Sequence, residues 1–239
     1  PFKKLVHQGM ILGENGIKMG KRFPEFVINP SDIVRDYGAD TLRLYEMFMG
    51  PLEVSKPWNP QGVDGARRFI NRVWNFFTEP ANIVEESDDT LKKVYHQTVK
   101  KVTEDFEQLG FNTAISQMMI FVNAVYKAGK CRREYAEGFI KMFSCICPHV
   151  GEEAWASLGH EDTIAYESWP IYDEEAIMED TVEIAVQING KVRATVSLPV
   201  GVDKDTAIAA GKALIADKLT GTIVKEIYVP GRIINIVQK

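Results

Sequence analysis

The feature that most constrains this chain is a change in the spacing of its apolar residues at about Asp180. Upstream, between residues 89 and 109, Leu91, Val94, Thr98, Val102, Phe106 and Leu109 fall three to four positions apart. That spacing puts them on one face of a helix. The same rhythm runs through 113–128 with Ile115, Met118, Met119, Val122 and Val125, and through 132–147 with Tyr135, Phe139, Met142, Phe143 and Ile146. Residues 63–77 place Phe69, Ile70, Val73, Trp74 and Phe77 on one broad apolar side, and a shorter helix is predicted from Pro148 through Trp155. Successive amphipathic helices with short connections predict an antiparallel bundle.

Past Asp180 the period becomes two. "VEIAVQI" and "KVRATVSL" flank Asn189-Gly190, the strongest short-range hairpin signal. Asp203 is placed to cap a helix over "DKDTAIAAGKALIADKL", and "GTIVKEIYV" and "IINIV" flank Pro230-Gly231. The tail therefore reads as a small β-β-α-β-β domain. Ahead of the bundle, residues 1–30 read as short extended segments and loops, in which "KLVHQGMIL" has the apolar density of a buried strand. "NPSDIV" reads as a helix start with Ser31 as its cap, broken near Gly38. Gly50–Gly62, rich in Pro and Gly, reads as a loop and a domain boundary, and 78–88 as an acidic, turn-rich linker. The expected class is α+β, with domains at 1–60, 61–176 and 180–239.

Net charge bounds the partners. The chain has 239 residues and a formal charge of -5, which argues against a non-specific polyanion binder and confines any nucleic-acid contact to local patches. The tail from Asp180 carries eight basic and six acidic residues, against 20 and 27 elsewhere, so the tail is the more cationic part. Three cysteines and no secretory segment point to a reducing cytoplasm. No apolar run approaches a membrane span. The chain begins at Pro1, and is expected to be a piece of something longer.

Several clusters invite a functional reading. "GIKMGKRFPEF" sets Lys18, Lys21 and Arg22 within five residues; alone, it is either a solvated turn or a phosphate loop. Lys127, Lys130, Arg132 and Arg133 surround a helix-helix turn and favour RNA phosphate. For Arg68 with Arg72 a surface ion-pairing role and a phosphate contact stand level, as do a solvated face and a phosphate contact for Lys93, Lys100 and Lys101 with His96 nearby. Trp74 reads as a core residue rather than a stacking platform. Cys145, Cys147 and His149, with Cys131, lack the spacing of a structural zinc site and read as core thiols, so no metal is expected. Lys191, Arg193 and Arg232 sit at the hairpin ends of the tail and are its candidates for RNA.

Taken in order, several blocks resemble the bacterial leucyl-tRNA synthetases, a family of class I aminoacyl-tRNA synthetases. They are "LVHQGMILGENGIKM", "NPSDIVRDYGADTLRLYEMFMGPLEVSKPW", "GARRFINRVWNFF", "KKVTEDFEQLGFNTAISQMM", "PHVGEEAWASLGH", and "VQINGKVRATVSLP" with "VPGRIINIV". The resemblance runs from Leu5 to Val237. It implies the end of a catalytic domain, an anticodon-binding-type bundle, and a C-terminal domain that approaches tRNA. The domain that holds leucine and ATP would lie before Pro1; no HIGH-type motif occurs here, and the piece alone is expected to be inactive and to carry no cofactor. The full enzyme would use ATP with Mg2+, leucine and leucine-accepting tRNA, as a cytoplasmic monomer without membrane or DNA. The family's mobile loop reads Lys-Met-Ser-Lys-Ser. By that resemblance Lys18 and Lys21 are the catalytic lysines, and Lys18, Met19, Gly20, Lys21 and Arg22 the ATP contacts. Gly20 and Arg22 stand where the family has serines, "FPEF" replaces the usual Gly-Asn, and the stretch to Asn29-Pro30 is one residue longer. The alternative is a free-standing tRNA-binding or interaction module without catalysis.

Overall fold

A computed structural model describes residues 2–86, 89–177 and 181–239. Asp88 and Asp180, counted among the charges above, lie outside the described residues. The chain divides into two compact units, Pro1–Ile177 and Met178–Lys239. No helix of the described residues is long and apolar enough to cross a membrane.

The first unit opens with β1 (Ile11–Leu12), which pairs in parallel with β2 (Lys56–Pro57). The longer buried strand expected over "KLVHQGMIL" is not formed. Leu5 and Val6 are exposed: backbone pairing begins only at Gly9, whose amide donates to Leu52 O, and continues through Met10 O, which accepts the Lys56 amide, into Ile11 and Leu12. Helix α1 (Pro30–Tyr37) starts from Asn29, whose side chain accepts the Ser31 amide, so Asn29 rather than Ser31 is the cap. Pro30 follows at the first helical position, where a missing N–H costs nothing. Gly38, at φ +89°, separates α1 from α2 (Ala39–Phe48), a backbone angle that a glycine adopts without strain.

The bundle is built from α3 (Pro60–Phe77), α4 (Lys92–Glu107), α5 (Phe111–Ala128), α6 (Arg133–Ser144) and α7 (Pro148–Ser157). Helix α3 starts three residues before the expected point, capped by Asn59 on the Gln61 amide. The supposed linker before α4 is partly ordered: β3 (Ile83–Val84) pairs in parallel with β4 (Cys131–Arg132). At the centre, Phe77, Phe121, Phe139 and Phe143 are fully buried. The Phe139 ring lies 4.9 Å from Phe77, 5.3 Å from Phe121 and 5.8 Å from Phe143, separations at which ring pairs add to plain area burial. A Cβ on Gly138 would sit 2.0 Å from the Tyr95 hydroxyl, so glycine there admits the Tyr95 ring, which stacks on Tyr135 at 4.3 Å.

One element had no sequence signal. Residues 169–173 run back along α4: Trp169 Nε1 donates to Thr103 Oγ1 (2.7 Å) and the Asp173 amide donates to His96 Nδ1 (3.1 Å). The short α8 (Glu174–Ile177) ends the strap, with Glu174 on Lys100 at 2.9 Å.

The second unit holds β5 (Thr181–Ile188), β6 (Lys191–Pro199), α9 (Lys204–Leu214), β7 (Ile223–Val229) and β8 (Ile233–Gln238), with strand order β6-β5-β8-β7. The two hairpins are antiparallel and their inner strands, β5 and β8, run parallel. Asn189 (φ +49°) and Gly190 (φ +80°) make the expected turn with both residues left-handed. Asp203 caps α9 through the Asp205 and Thr206 amides. Ala207, Ile208 and Ile215 pack on Ile184, Val186, Ile234 and Ile236. Helix and sheet approach closely at Gly211, where a Cβ would stand 3.1 Å from Ile234.

Candidate functional site

The basic loop is a short turn on a firm base. Gly13 N donates to Ile17 O (2.9 Å), Asn15 Oδ1 accepts the Ile17 amide, and Leu12 bridges Lys18, so residues 12–18 close as a tight hairpin through Gly16 at φ +73°. Beyond it the Phe23 amide donates to Gly20 O at 3.2 Å. Met19 turns its side chain inward. Its Sδ accepts the Ile28 amide (3.4 Å) and it lines a hollow with Ile11, Ile28, Leu42, Glu46 and Trp58. Burial in this apolar setting raises the Glu46 carboxyl above the ordinary carboxylate range. Met19 thus pins the loop, and Lys18, Lys21 and Arg22 face solvent with no ion pair among the described residues. The Arg22 guanidinium lies 5.3 Å over the Phe23 ring. Nothing lies within 4 Å of where a Gly20 Cβ would point, so packing does not demand glycine there.

The four-residue basic cluster after α5 divides. Lys127 and Lys130 are exposed and, among the described residues, form no ion pair. Arg132 meets Glu134 at 3.4 Å and stands 5.8 Å over the Tyr135 ring. Arg133 donates from Nε to Glu85 (2.7 Å) and from Nη1 to the Leu158 carbonyl (2.7 Å), with Glu137 at 3.7 Å. These partners tie Arg133 between the β3 segment and the end of α7, and leave it little freedom for a phosphate. On α4, Lys100 meets Glu174 and Lys101 meets Asp105 at 2.7 Å, which compensates that face. His96 is buried rather than beside those lysines. In the tail, Lys191, Arg193 and Arg232 are exposed. They do not converge: Lys191 pairs in register with Ile188, whereas Arg232 precedes the Ala185–Ile233 pair at the other end of the sheet.

Two residues that the sequence did not single out hold the bundle to the loop-bearing segment. Arg43 donates from Nε to Ile146 O (2.7 Å) and from Nη2 to Cys145 O (3.2 Å), at the C-terminal end of α6. Asp40, 5% exposed, accepts the Val150 amide on Oδ2 (2.8 Å) and lies 2.8 Å from His149 Nδ1 on Oδ1. The N-terminus of α7 has no side-chain cap of its own, so Asp40 caps it from another helix. Both side chains stand one turn apart on α2. The start of α7 at Pro148 behind Cys147, with no capping side chain of its own, was a sign that its cap comes from elsewhere, whereas the carbonyls that Arg43 meets carried none.

Trp74 is 39% exposed, which overturns its expected core placement. Positions 69, 70, 73, 76 and 77 already fill the inward arc of α3, and Trp74 falls at its margin. Cys131 and Cys147 are buried, and burial pushes the Cys131 thiol up to about 12. Cys145 is exposed, so it is no core thiol. No group of three or more His, Cys, Asp or Glu side chains suited to a metal ion occurs among the described residues.

Comparison with known proteins places these features in a family. Residues 88–208 match the anticodon-binding domain of tRNA ligase. Residues 1–53 match the class I tRNA synthetases for I, L, M and V. A LeuRS from Agrobacterium radiobacter K84, crystallised as a ternary complex with tRNA and LeuAMS, superposes with a TM-score of 0.75 and 27% identity over 97% of this chain. The chain spans 32% of that synthetase's length. The loop segment, the helical bundle and the α+β tail therefore have counterparts in one architecture, and the chain belongs to the anticodon-binding family of class I tRNA synthetases.

Proposed function

We propose that this chain is the portion of a leucyl-tRNA synthetase that supplies the ATP-phosphate loop and the tRNA-binding domains. In that reading residues 1–60 complete the catalytic domain, 61–176 form the anticodon-type bundle, and 180–239 approach tRNA. The protein works as a cytoplasmic monomer on ATP, leucine and leucine-accepting tRNA. The observation that carries the reading is the Met19-anchored turn that leaves Lys18, Lys21 and Arg22 free of acidic partners within the synthetase-matching segment.

The chemistry follows from charge. A leucine carboxylate oxygen attacks the α-phosphorus of ATP, and the bond to the bridging oxygen of pyrophosphate breaks. Negative charge grows on the leaving phosphates. Ammonium groups of Lys21 and Lys18 held beside those oxygens interact more strongly with the transition state than with bound ATP, which lowers the barrier. Arg22 adds a planar donor set suited to phosphate. These residues fit phosphate oxygens and are not metal ligands; Mg2+, when bound with ATP, neutralises phosphate charge alongside them.

The test is Lys21→Ala in the synthetase that contains this chain. Removing a donor to developing charge should lower the ATP–pyrophosphate exchange rate about a hundredfold, with a smaller change in KM for ATP. A full-rate variant would make the turn a connector and favour a tRNA-binding module. Gly20→Ser with Arg22→Ser, sterically open at position 20, reads whether the departures tune the rate.

A further inference from the structure

We infer that α3 and α5 together present one surface for an RNA backbone, built on Arg68, Arg72, Asn123, Tyr126, Lys127 and Lys130. The inference rests on the tRNA-binding reading above and gives it a location.

Charge sets this face apart. The chain carries 33 acidic residues, yet none lies between Phe111 and Lys130. Helix α3 has one, Asp64, and it is engaged with the Tyr37 hydroxyl. Arg68, Arg72, Lys127 and Lys130 form no ion pair among the described residues, whereas Lys100, Lys101, Arg133, Lys141 and Lys212 elsewhere do. Uncompensated cations on a net-acidic protein are what phosphate recognition requires, since bound counterions are released when they meet a polyanion.

Geometry joins the two helices. Arg72 Nη2 donates to Asn123 Oδ1 at 2.8 Å, and its guanidinium carbon lies 4.8 Å over the Tyr126 ring. The Tyr126 hydroxyl donates to the Arg72 carbonyl at 2.9 Å. The guanidinium is therefore held over an exposed ring by neutral partners, its charge unspent. Tyr126 is 40% exposed. On α5, Asn123 and Lys127 stand one turn apart on one face, and Lys130 follows Gly129, which ends the helix at φ +75°. Phosphates spaced along a strand can meet Arg72, Lys127 and Lys130 in turn, positioning the RNA without reading its bases.

The experiment measures binding of the 239-residue chain to a leucine-accepting tRNA transcript by fluorescence anisotropy over a salt series, with unfolding curves as controls. Lys127→Ala/Lys130→Ala should weaken binding about tenfold near 100 mM salt and lower the slope of log Kd against log salt by about 1.5. Arg72→Lys should keep the slope, and Arg72→Gln should lower it. Arg35→Ala/Lys100→Ala removes two ion-paired cations and should change neither quantity. If the parent binds tRNA but the α3–α5 variants match it, the surface assignment falls and the tRNA reading stands. If the parent does not bind tRNA at low salt, both fall. If polyglutamate binds as tightly as RNA and is lost in the same variants, the face takes acidic protein and the RNA assignment is overturned.

Discussion

His96 is the residue most exposed to pH. It is buried against Tyr95 and Tyr135, with ring separations of 5.1 and 6.0 Å, and its Nδ1 accepts the Asp173 amide. Burial pushes its pKa below the ordinary imidazole value, more than the nearby Asp173 and Glu134 carboxylates raise it. Protonating Nδ1 would also remove the acceptor that holds the strap. The folded-state pKa is depressed, so the contribution is complete above the unfolded value near ~6.5. It drains away as pH falls from there towards the folded pKa, because the unfolded chain takes up a proton that the folded chain refuses. The melting temperature should therefore drop between about pH 7.5 and 5.5. His96→Asn, which keeps an acceptor without a titrating ring, should flatten that drop; melts at several pH values that decline equally in both proteins would sink the assignment. Residue-scale placement was only partly legible. Lys18 and Lys21 are exposed, as a basic turn requires, but Met19, read as an ATP contact, turns inward onto the Ile28 amide, which the order of residues did not signal. Trp74 and His96 exchanged places, one expected in the core and exposed, the other expected near solvent and buried, because helical spacing fixes a face to within one residue and packing decides its margins.

Among the elements, α2 does the connecting. Arg43 answers carbonyls at the end of α6 and Asp40 answers an amide at the start of α7, groups that a helix leaves unpaired at its ends. Charge agrees with the macrodipole at both sites, a cation at a C-terminus and an anion at an N-terminus. Asp40→Ala should cost about 2 kcal/mol, since it removes a cap and leaves the half-buried Val150 amide without its acceptor. Arg43→Ala should cost about 1 kcal/mol. Asp40→Asn, which keeps one acceptor, should fall between wild type and Asp40→Ala. Urea unfolding reads all three, and an Asp40→Ala protein as stable as the parent would refute the cap. Locally coded elements were legible: the Asn189-Gly190 turn and the Asp203 cap depend on a few adjacent residues. The start of α3 at Pro60 was coded too, by Asn59-Pro60, but lay hidden in a stretch dense in Pro and Gly. The strap at 169–173 has no periodicity; its residues are ordered by Thr103 and His96 on α4, about seventy positions away in sequence.

At the scale of the whole molecule, the change of apolar period near residue 180 separates two cores with no member in common. Phe139 and Phe143 belong to one, Ile184, Ile234 and Ile236 to the other. Each core removes its own apolar surface from water, and the cost of losing one is confined to the unit that holds it. Calorimetry should accordingly show two transitions. Phe139→Ala and Ile234→Ala each delete a fully buried side chain and should cost about 2–5 kcal/mol. Phe139→Ala should lower the transition of the helical unit alone, and Ile234→Ala that of the four-stranded unit alone. Ile234 also carries the contact with Gly211, where an added Cβ would require its side chain to give by a few tenths of an ångström, so any effect of Gly211→Ala should fall on the transition of the four-stranded unit alone. If both variants instead lower one shared transition, the two cores unfold as a single cooperative body and the change of period marks only a change of architecture.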